Sequence, residues 1–143
     1  MKKATVMGMF LTRVLPALIW AGLIAAALLM TGDSLEEAGV WFEIPEWLMP
    51  WAEMLSPWAD KLVHFLLFLV LAFLVHRCFR LSEVEWGAAF RTLAVTLPYI
   101  VVLEIAQIWI PDRGWEGLDV VAGIGGVLMA LLLIQLVQSW RAA

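Results

Sequence analysis

Four long apolar runs constrain the fold of this chain more than any other feature of its sequence. They cover residues 14–31, 62–76, 92–110 and 118–137. A helix needs about 20 mostly apolar residues to cross about 30 Å of hydrocarbon. The second run is short for that purpose, so we expect its ends to dip toward the hydrocarbon or the bilayer to thin around it. The pattern predicts an all-α, polytopic membrane protein with four transmembrane helices.

The composition excludes the main alternatives to a membrane protein. Of the 143 residues, 64% are hydrophobic and 15% are charged, whereas a soluble domain carries about 25% charge. A net charge of −4 gives no basic surface for nucleic acid. The single cysteine excludes an internal disulfide framework and a zinc site built from cysteines. We expect one membrane domain over residues 1–143.

The first apolar run has a second interpretation, as a cleaved signal peptide whose charged region contains Lys2, Lys3 and Arg13. The run is longer than the 7–15 apolar residues typical of a signal peptide. We therefore favour an uncleaved transmembrane helix.

The positions of Lys and Arg predict the orientation of the four helices. Seven of the nine basic residues lie near the N-terminus, in the 77–91 loop or near the C-terminus, and only Lys61 and Arg113 lie in the other two connections. Since basic residues are enriched in cytoplasmic segments, both termini are expected in the cytoplasm.

The connection over residues 33–59 is rich in tryptophan. Ser34 and Glu37 have the spacing of a capping box, and the series Trp51, Met54, Leu55, Trp58 has the spacing of one helical face. Because indole rings favour the headgroup level, we expect this loop to lie in the outer interface. A lid packed over the bundle is the alternative, and both can hold.

A group of polar residues marks the start of the second helix. Ser56 and Pro57 predict its N-cap and first position. Asp60, Lys61 and His64 then share one helical face. Asp60 and Lys61 also fit plain interfacial charges, and His64 fits a packing residue. His76, at the other end of the same run, is expected at the cytoplasmic interface.

The third run contains Glu104 and Gln107 on one face, with Glu104 about two turns from its outer end at Ile110. A carboxylate inside a membrane costs about 2.5–3.5 kcal/mol on insertion scales. We therefore expect Glu104 to face the bundle interior and to find a partner.

The connection over residues 111–117 is short, so it predicts that the third and fourth helices are tight antiparallel neighbours. Arg113 is expected over the outer end of the bundle, close to Glu104, Gln107 and Asp119. Asp119 opens the fourth helix, where an acid suits the helix dipole. Three small residues follow it and predict close helix packing: Gly123, Gly125 and Gly126.

Two segments resemble the signatures of the VanZ-like family of small bacterial membrane proteins. Residues 60–65, DKLVHF, resemble its DKxxHF motif, and the second signature is matched by Glu104, Gln107, Pro111, Arg113, Glu116 and Asp119. The chain departs from the family at Gly123, where an asparagine is frequent, and at Phe68, near which an aromatic hydroxyl is common. The resemblance implies a four-helix protein of the bacterial inner membrane, from a family associated with teicoplanin resistance.

These residues support three hypotheses of function. The first is an outward-facing polar pocket for a membrane lipid or an anionic, lipid-linked envelope precursor. Its candidate binding residues are Asp60, Lys61, Gln107, Arg113 and Glu116, and its candidate catalytic residues are His64, Glu104 and Asp119. The second is a structural or accessory protein whose charges only fix helix packing. The third is a divalent metal site built from Asp60, His64, Glu104 and Asp119, whose ligands suit manganese or magnesium. Lys61 and Arg113 disfavour it because they already supply positive charge.

Overall fold

The computed structural model of the protein describes residues 8, 10–30, 49–79, 85–111 and 114–142. In this part of the chain every regular element is helical. A π-helical segment, Phe10–Val14, leads into the first of four α-helices. These are α1 (Leu15–Leu29), α2 (Met49–Phe79), α3 (Glu85–Gln107) and α4 (Gly117–Ala142). The expected all-α architecture is confirmed.

Each α-helix contains a segment that is long and apolar enough to cross a membrane. The four segments are Phe10–Leu29, Trp58–Phe79, Gly87–Gln107 and Gly117–Arg141. The second is 22 residues long, longer than the apolar run of residues 62–76 that the sequence shows. Two of its charged residues, Asp60 and Lys61, lie near its start and do not end the helix.

The start of α2 also differs from the prediction. The helix begins at Met49, so Ser56 and Pro57 lie inside it and do not form its N-terminus. Pro57 removes one backbone donor, which helices of membrane proteins tolerate. The segment from Trp51 to Trp58, whose spacing is that of a helical face, is part of this helix. The rest of the tryptophan-rich loop, including Ser34 and Glu37, lies outside the described residues.

The end of α3 lies closer to Glu104 than the sequence indicated. The α-helix ends at Gln107, three residues after Glu104, and not at Ile110. A tighter turn follows, with a backbone hydrogen bond of 3.0 Å from the Ile110 amide to the Gln107 carbonyl. Bonds of this i to i+3 type commonly close the last turn of a helix. Glu104 therefore lies in the final turn of α3.

Glycines bring α2 and α4 close together. A Cβ atom on Gly126 would overlap the carbonyl oxygen of Phe65 and lie 3.0 Å from the amide nitrogen of Leu69. Gly123 faces the Phe68 ring, which a Cβ atom would approach to 2.9 Å. The predicted packing role of these two glycines is confirmed, because each allows an approach that a side chain would prevent.

Apolar side chains from all four helices form one core: Ala17, Ile24, Leu28, Phe68, Leu71, Ala72, Val75, Ile100, Leu103, Val127 and Ala130. Two hydrogen bonds fix α1 against this core. The Trp20 indole donates to the Leu67 carbonyl at 3.0 Å, and the Tyr99 hydroxyl donates to the Ala21 carbonyl at 2.5 Å. Large apolar side chains remain exposed on the outer faces of the helices, for example Leu18, Leu66, Phe90, Val102 and Leu132. This distribution suits a lipid environment.

Candidate functional site

Five ionisable side chains from α2, α4 and the residue before α4 meet at one end of the bundle. They are Asp60, Lys61, His64, Glu116 and Asp119, and we call them the polar cluster. The Lys61 ammonium lies at its centre, with Nζ 2.5 Å from Glu116 Oε2, 3.1 Å from Asp119 Oδ1 and 3.5 Å from Asp60 Oδ2. The end of the bundle that holds the cluster, where α1 and α3 end and α4 begins, is called the site end. The sequence correctly placed these five residues together.

The exposure of the side chains falls from the mouth of the polar cluster to its base. The side chains of Asp60 and Glu116 are 50% and 58% exposed, that of Lys61 is 18% exposed, and those of Asp119 and His64 are 5% and 2% exposed. The cluster is therefore open at the end of the bundle and closed toward its interior. A polar group could enter it from that end without crossing the apolar core.

His64 has a defined orientation at the base of the cluster. Its Nδ1 lies 3.0 Å from the backbone carbonyl oxygen of Asp60 and 3.7 Å from the Oδ1 of the same residue. Because a carbonyl oxygen only accepts hydrogen bonds, Nδ1 is the protonated nitrogen. The Nε2 atom is buried and has no hydrogen-bond partner in the described part of the chain. In the neutral ring this atom carries a free lone pair.

Glu104 is buried and contacts the connection that leads into α4. Its Oε1 accepts a hydrogen bond of 2.7 Å from the backbone amide of Glu116. It faces the bundle interior and has a partner, as expected. Because this bond holds the residue immediately before α4, Glu104 positions Glu116 and the first turn of the helix. The contact gives Glu104 a structural role beside the cluster.

Gln107 is also buried, and its hydrogen bond goes to α1 and not to a residue of the polar cluster. The Nε2 amide donates to the carbonyl oxygen of Leu28 at 3.1 Å. Leu28 lies in the last turn of α1, where carbonyl groups lack partners within the helix. Gln107 therefore links α3 to the end of α1, and its convergence with Glu104 and Asp119 stays a prediction.

Arg113 lies outside the described residues, so its expected position over the bundle end stays a prediction. The flanking residues Pro111 and Gly114 are both exposed.

A second buried polar pair lies at the opposite end of the bundle, and the sequence did not indicate it. His76 was expected at the interface, but it is 6% exposed, and its Nδ1 lies 3.4 Å from the Thr92 hydroxyl oxygen. The Thr92 hydroxyl donates to the Ala88 carbonyl at 2.8 Å, so it accepts from the His76 ring. Thr92 inside an apolar run was the available signal.

A cavity of about 430 Å³ opens near His76. It is lined by Phe73, Leu74, His76, Arg77, Leu133, Ile134, Val137, Gln138 and Arg141. No residue of the polar cluster lines this cavity. The buried ionisable groups of the cluster, and not the size of a cavity, therefore single out the site end as the candidate functional site.

The helices and the polar cluster define a class of protein: a multi-pass membrane protein with an ionisable site at one end of a four-helix bundle. Comparison of the chain with protein-family models, with curated proteins and with solved structures finds no match. The resemblance to the VanZ-like family therefore stays a prediction from the two sequence signatures.

Proposed function

We propose that this chain is a VanZ-like protein of the bacterial inner membrane, with both termini in the cytoplasm and the polar cluster facing outward. The cluster binds the anionic headgroup of a membrane lipid or of a lipid-linked envelope precursor. The observation that supports this proposal is the gradient of exposure, from the open mouth at Asp60 and Glu116 to the buried His64. A headgroup at the membrane surface is the ligand that such an opening admits.

Lys61 is the central binding group in this proposal. Its partner at the mouth, Glu116, is more than half exposed, so an anionic headgroup can replace that carboxylate without leaving it unsolvated. Arg113, in the adjacent connection, would add a planar guanidinium that binds phosphate or carboxylate through two parallel hydrogen bonds. On the buried side of the cluster, the Asp119 carboxylate holds the Lys61 ammonium in place.

His64 gives the site the capacity for proton transfer. The neutral ring presents a buried lone pair at Nε2, while Nδ1 is fixed by the Asp60 carbonyl. A general base in this form accepts a proton from a bound hydroxyl or water. The proposed function is headgroup binding. Cleavage of a bond in the headgroup is a second activity that the same side chains could support.

Native mass spectrometry of the full chain tests this function. The protein is placed in phosphatidylcholine nanodiscs with a polyprenyl phosphate as the probe. Lys61→Gln and Arg113→Gln are expected to reduce the bound probe at least about tenfold, because each removes one charge-assisted contact. Arg141→Gln, at the opposite end of the bundle, is the matched control. If all three variants retain the bound probe equally, or all three lose it equally, the proposal is contradicted.

A cellular experiment tests the same function without a chosen lipid. His64→Ala, Glu104→Gln and Arg113→Ala are each expected to abolish an envelope or teicoplanin-resistance phenotype at unchanged expression. A normal phenotype in all three variants rejects a functional pocket.

A purely structural role is the second candidate, and the interhelical contacts favour it. Glu104 holds the start of α4, Gln107 holds the end of α1, and Lys61 joins α2 to α4 through Asp119. Polar contacts between membrane helices average only about 0.6 kcal/mol each. Such contacts therefore add little stability compared with the free energy needed to bury ionisable groups. Strong coupling between these residues in unfolding, with unchanged probe binding, would support this role.

A further inference from the structure

The polar cluster contains more negative than positive groups among its described residues. Asp60, Glu116 and Asp119 surround the single ammonium of Lys61, and the Glu104 carboxyl lies next to Glu116. Carboxylates brought together in a partly buried site repel each other unless a cation is present. Among the described residues the carboxylates therefore outnumber the cations, and either a metal ion or Arg113 of the adjacent connection would balance them.

Three of these side chains have atoms close enough together to bind a single metal ion. One ring nitrogen of His64 and one carboxylate oxygen each from Asp60 and Asp119 lie within 4.8 Å of one another. The side chains of His64 and Asp119 are almost fully buried, whereas that of Asp60 is half exposed. Asp60 can therefore adjust its position by rotating about its side-chain bonds, while the other two ligands are held by the helices.

His64 supplies an independent observation that points to a ligand. A histidine that binds a metal typically donates its other ring N–H to a carbonyl or carboxylate, which fixes the tautomer and the ring. The Nδ1 of His64 makes this bond to the Asp60 carbonyl, and its buried Nε2 has no hydrogen-bond partner among the described residues. A buried nitrogen without a partner is costly, and coordination of a cation would satisfy it.

We propose that Asp60, His64 and Asp119 form a binding site for one divalent cation. One imidazole and two carboxylates, without sulfur, suit a hard ion such as Mn²⁺ or Mg²⁺. Such ions prefer six ligands and keep several waters, so three protein ligands leave room for waters as well. The cation binds without a lipid, and this inference therefore does not rest on the proposed headgroup.

Lys61 competes with the cation for Asp119. The ammonium lies 3.1 Å from Asp119 Oδ1, but its shortest contact is to Glu116. When the cation binds Asp119, Lys61 keeps Glu116 as its partner at the mouth. Removing the ammonium is therefore expected to strengthen cation binding. If Lys61 only neutralised the acids and no cation site existed, its removal would not produce cation binding.

Titration of Mn²⁺ into the metal-stripped full chain tests the site, with the protein in a maltoside detergent that carries no phosphate. Free Mn²⁺ is measured by its electron paramagnetic resonance signal. The expected result is one bound ion per chain. Asp119→Asn and His64→Gln should each weaken binding at least about tenfold, whereas Lys61→Gln should strengthen it several-fold. Glu85→Gln, a matched change at the opposite end of α3, should leave binding unchanged.

Pulsed resonance spectra of the bound Mn²⁺ supply a readout that does not depend on folding of the variants. A nitrogen coupling is expected in the wild-type protein, and its absence in any residual complex of His64→Gln assigns it to that ring. No stoichiometric Mn²⁺ binding by the wild-type chain, or bound Mn²⁺ without nitrogen coupling, overturns the cation site. Because no lipid probe is present, either result leaves the polyprenyl phosphate experiment unaffected.

Discussion

Lys61 Nζ on α2 lies 3.1 Å from Asp119 Oδ1 on α4, and the Asp119 side chain is only 5% exposed. A carboxylate shielded from water at the start of a membrane-spanning helix needs a compensating charge or a proton. In the described part of the chain, Lys61 provides that charge. The same ammonium also contacts the exposed Glu116, so one side chain connects the interior of the bundle with its surface.

Removing this ammonium is expected to destabilise the bundle. Lys61→Met should lower the free energy of unfolding by about 1–3 kcal/mol, because it leaves Asp119 buried without its partner. Adding Asp119→Asn should recover part of that loss. Unfolding of the purified protein in SDS, arranged as a double-mutant cycle, measures the coupling. Glu116→Gln, at the exposed mouth, is the control and should change stability by less than about 1 kcal/mol. Additive losses in the cycle would contradict the proposed pairing.

The contact between Gly126 and Phe65 predicts a pronounced difference between neighbouring glycines. Gly126→Ala should destabilise the protein by about 1–3 kcal/mol or more, because the new methyl group would overlap backbone atoms of α2 that cannot rotate away. Gly125→Ala is the matched control, since its Cβ would lie 3.6 Å from the Phe65 ring, and it should gain up to about 1 kcal/mol of helix propensity. Unfolding in SDS measures both variants, and equal effects would argue against a close helix approach.

Gly123 and Phe68 are expected to be coupled. The Phe68 ring is 1% exposed and lies where a Cβ on Gly123 would be, so Gly123→Ala should destabilise the wild-type bundle. In a Phe68→Leu background the same substitution should cost less, with a coupling energy of about 0.5–3 kcal/mol. The result bears on the resemblance, because Gly123→Asn, the residue frequent in that family, needs the same space. Identical costs in both backgrounds would show that Phe68 does not restrict this position.

The positioning role of Glu104 is expected to depend on its hydrogen-bond acceptor, whereas its proposed functional role depends on the carboxyl group that Glu104→Gln replaces by an amide. Glu104→Gln keeps an oxygen for the Glu116 amide and should retain most of the stability. Glu104→Ala leaves that amide without its acceptor and should cost about 1–3 kcal/mol. Hydrogen exchange of the Glu116 amide measures the bond directly, and it should be faster in the alanine variant alone. Unchanged exchange in both variants would remove Glu104 from its positioning role.

Much of this architecture follows from hydropathy. Four apolar runs fix four helices, and the spacing of Asp60, Lys61 and His64 fixes their common face. The short connection before α4 brings Asp119 to the same end. These inferences hold because helix periodicity and chain connectivity leave few alternatives.

Hydropathy could not place the remaining residues. Glu104 and Gln107 share one face of α3, yet they bond to different neighbours, Glu116 and Leu28. That division depends on how α1 and α4 are arranged around α3, which no local pattern encodes. The burial of His76 beside Thr92, a residue of another helix, could not be derived from a local pattern either.

The overlap that a methyl group on Gly126 would make with Phe65 also has a mechanical consequence. Asp119 precedes this contact by seven residues, which corresponds to about 10 Å along α4. This contact is therefore the point about which α2 and α4 would pivot relative to each other. A motion about this point that separates Asp119 from His64 would bring the opposite ends of α2 and α4 closer together, and His76 lies at that end of α2. His64 directly precedes Phe65 and therefore lies beside this contact, whereas His76 lies toward the opposite end of α2.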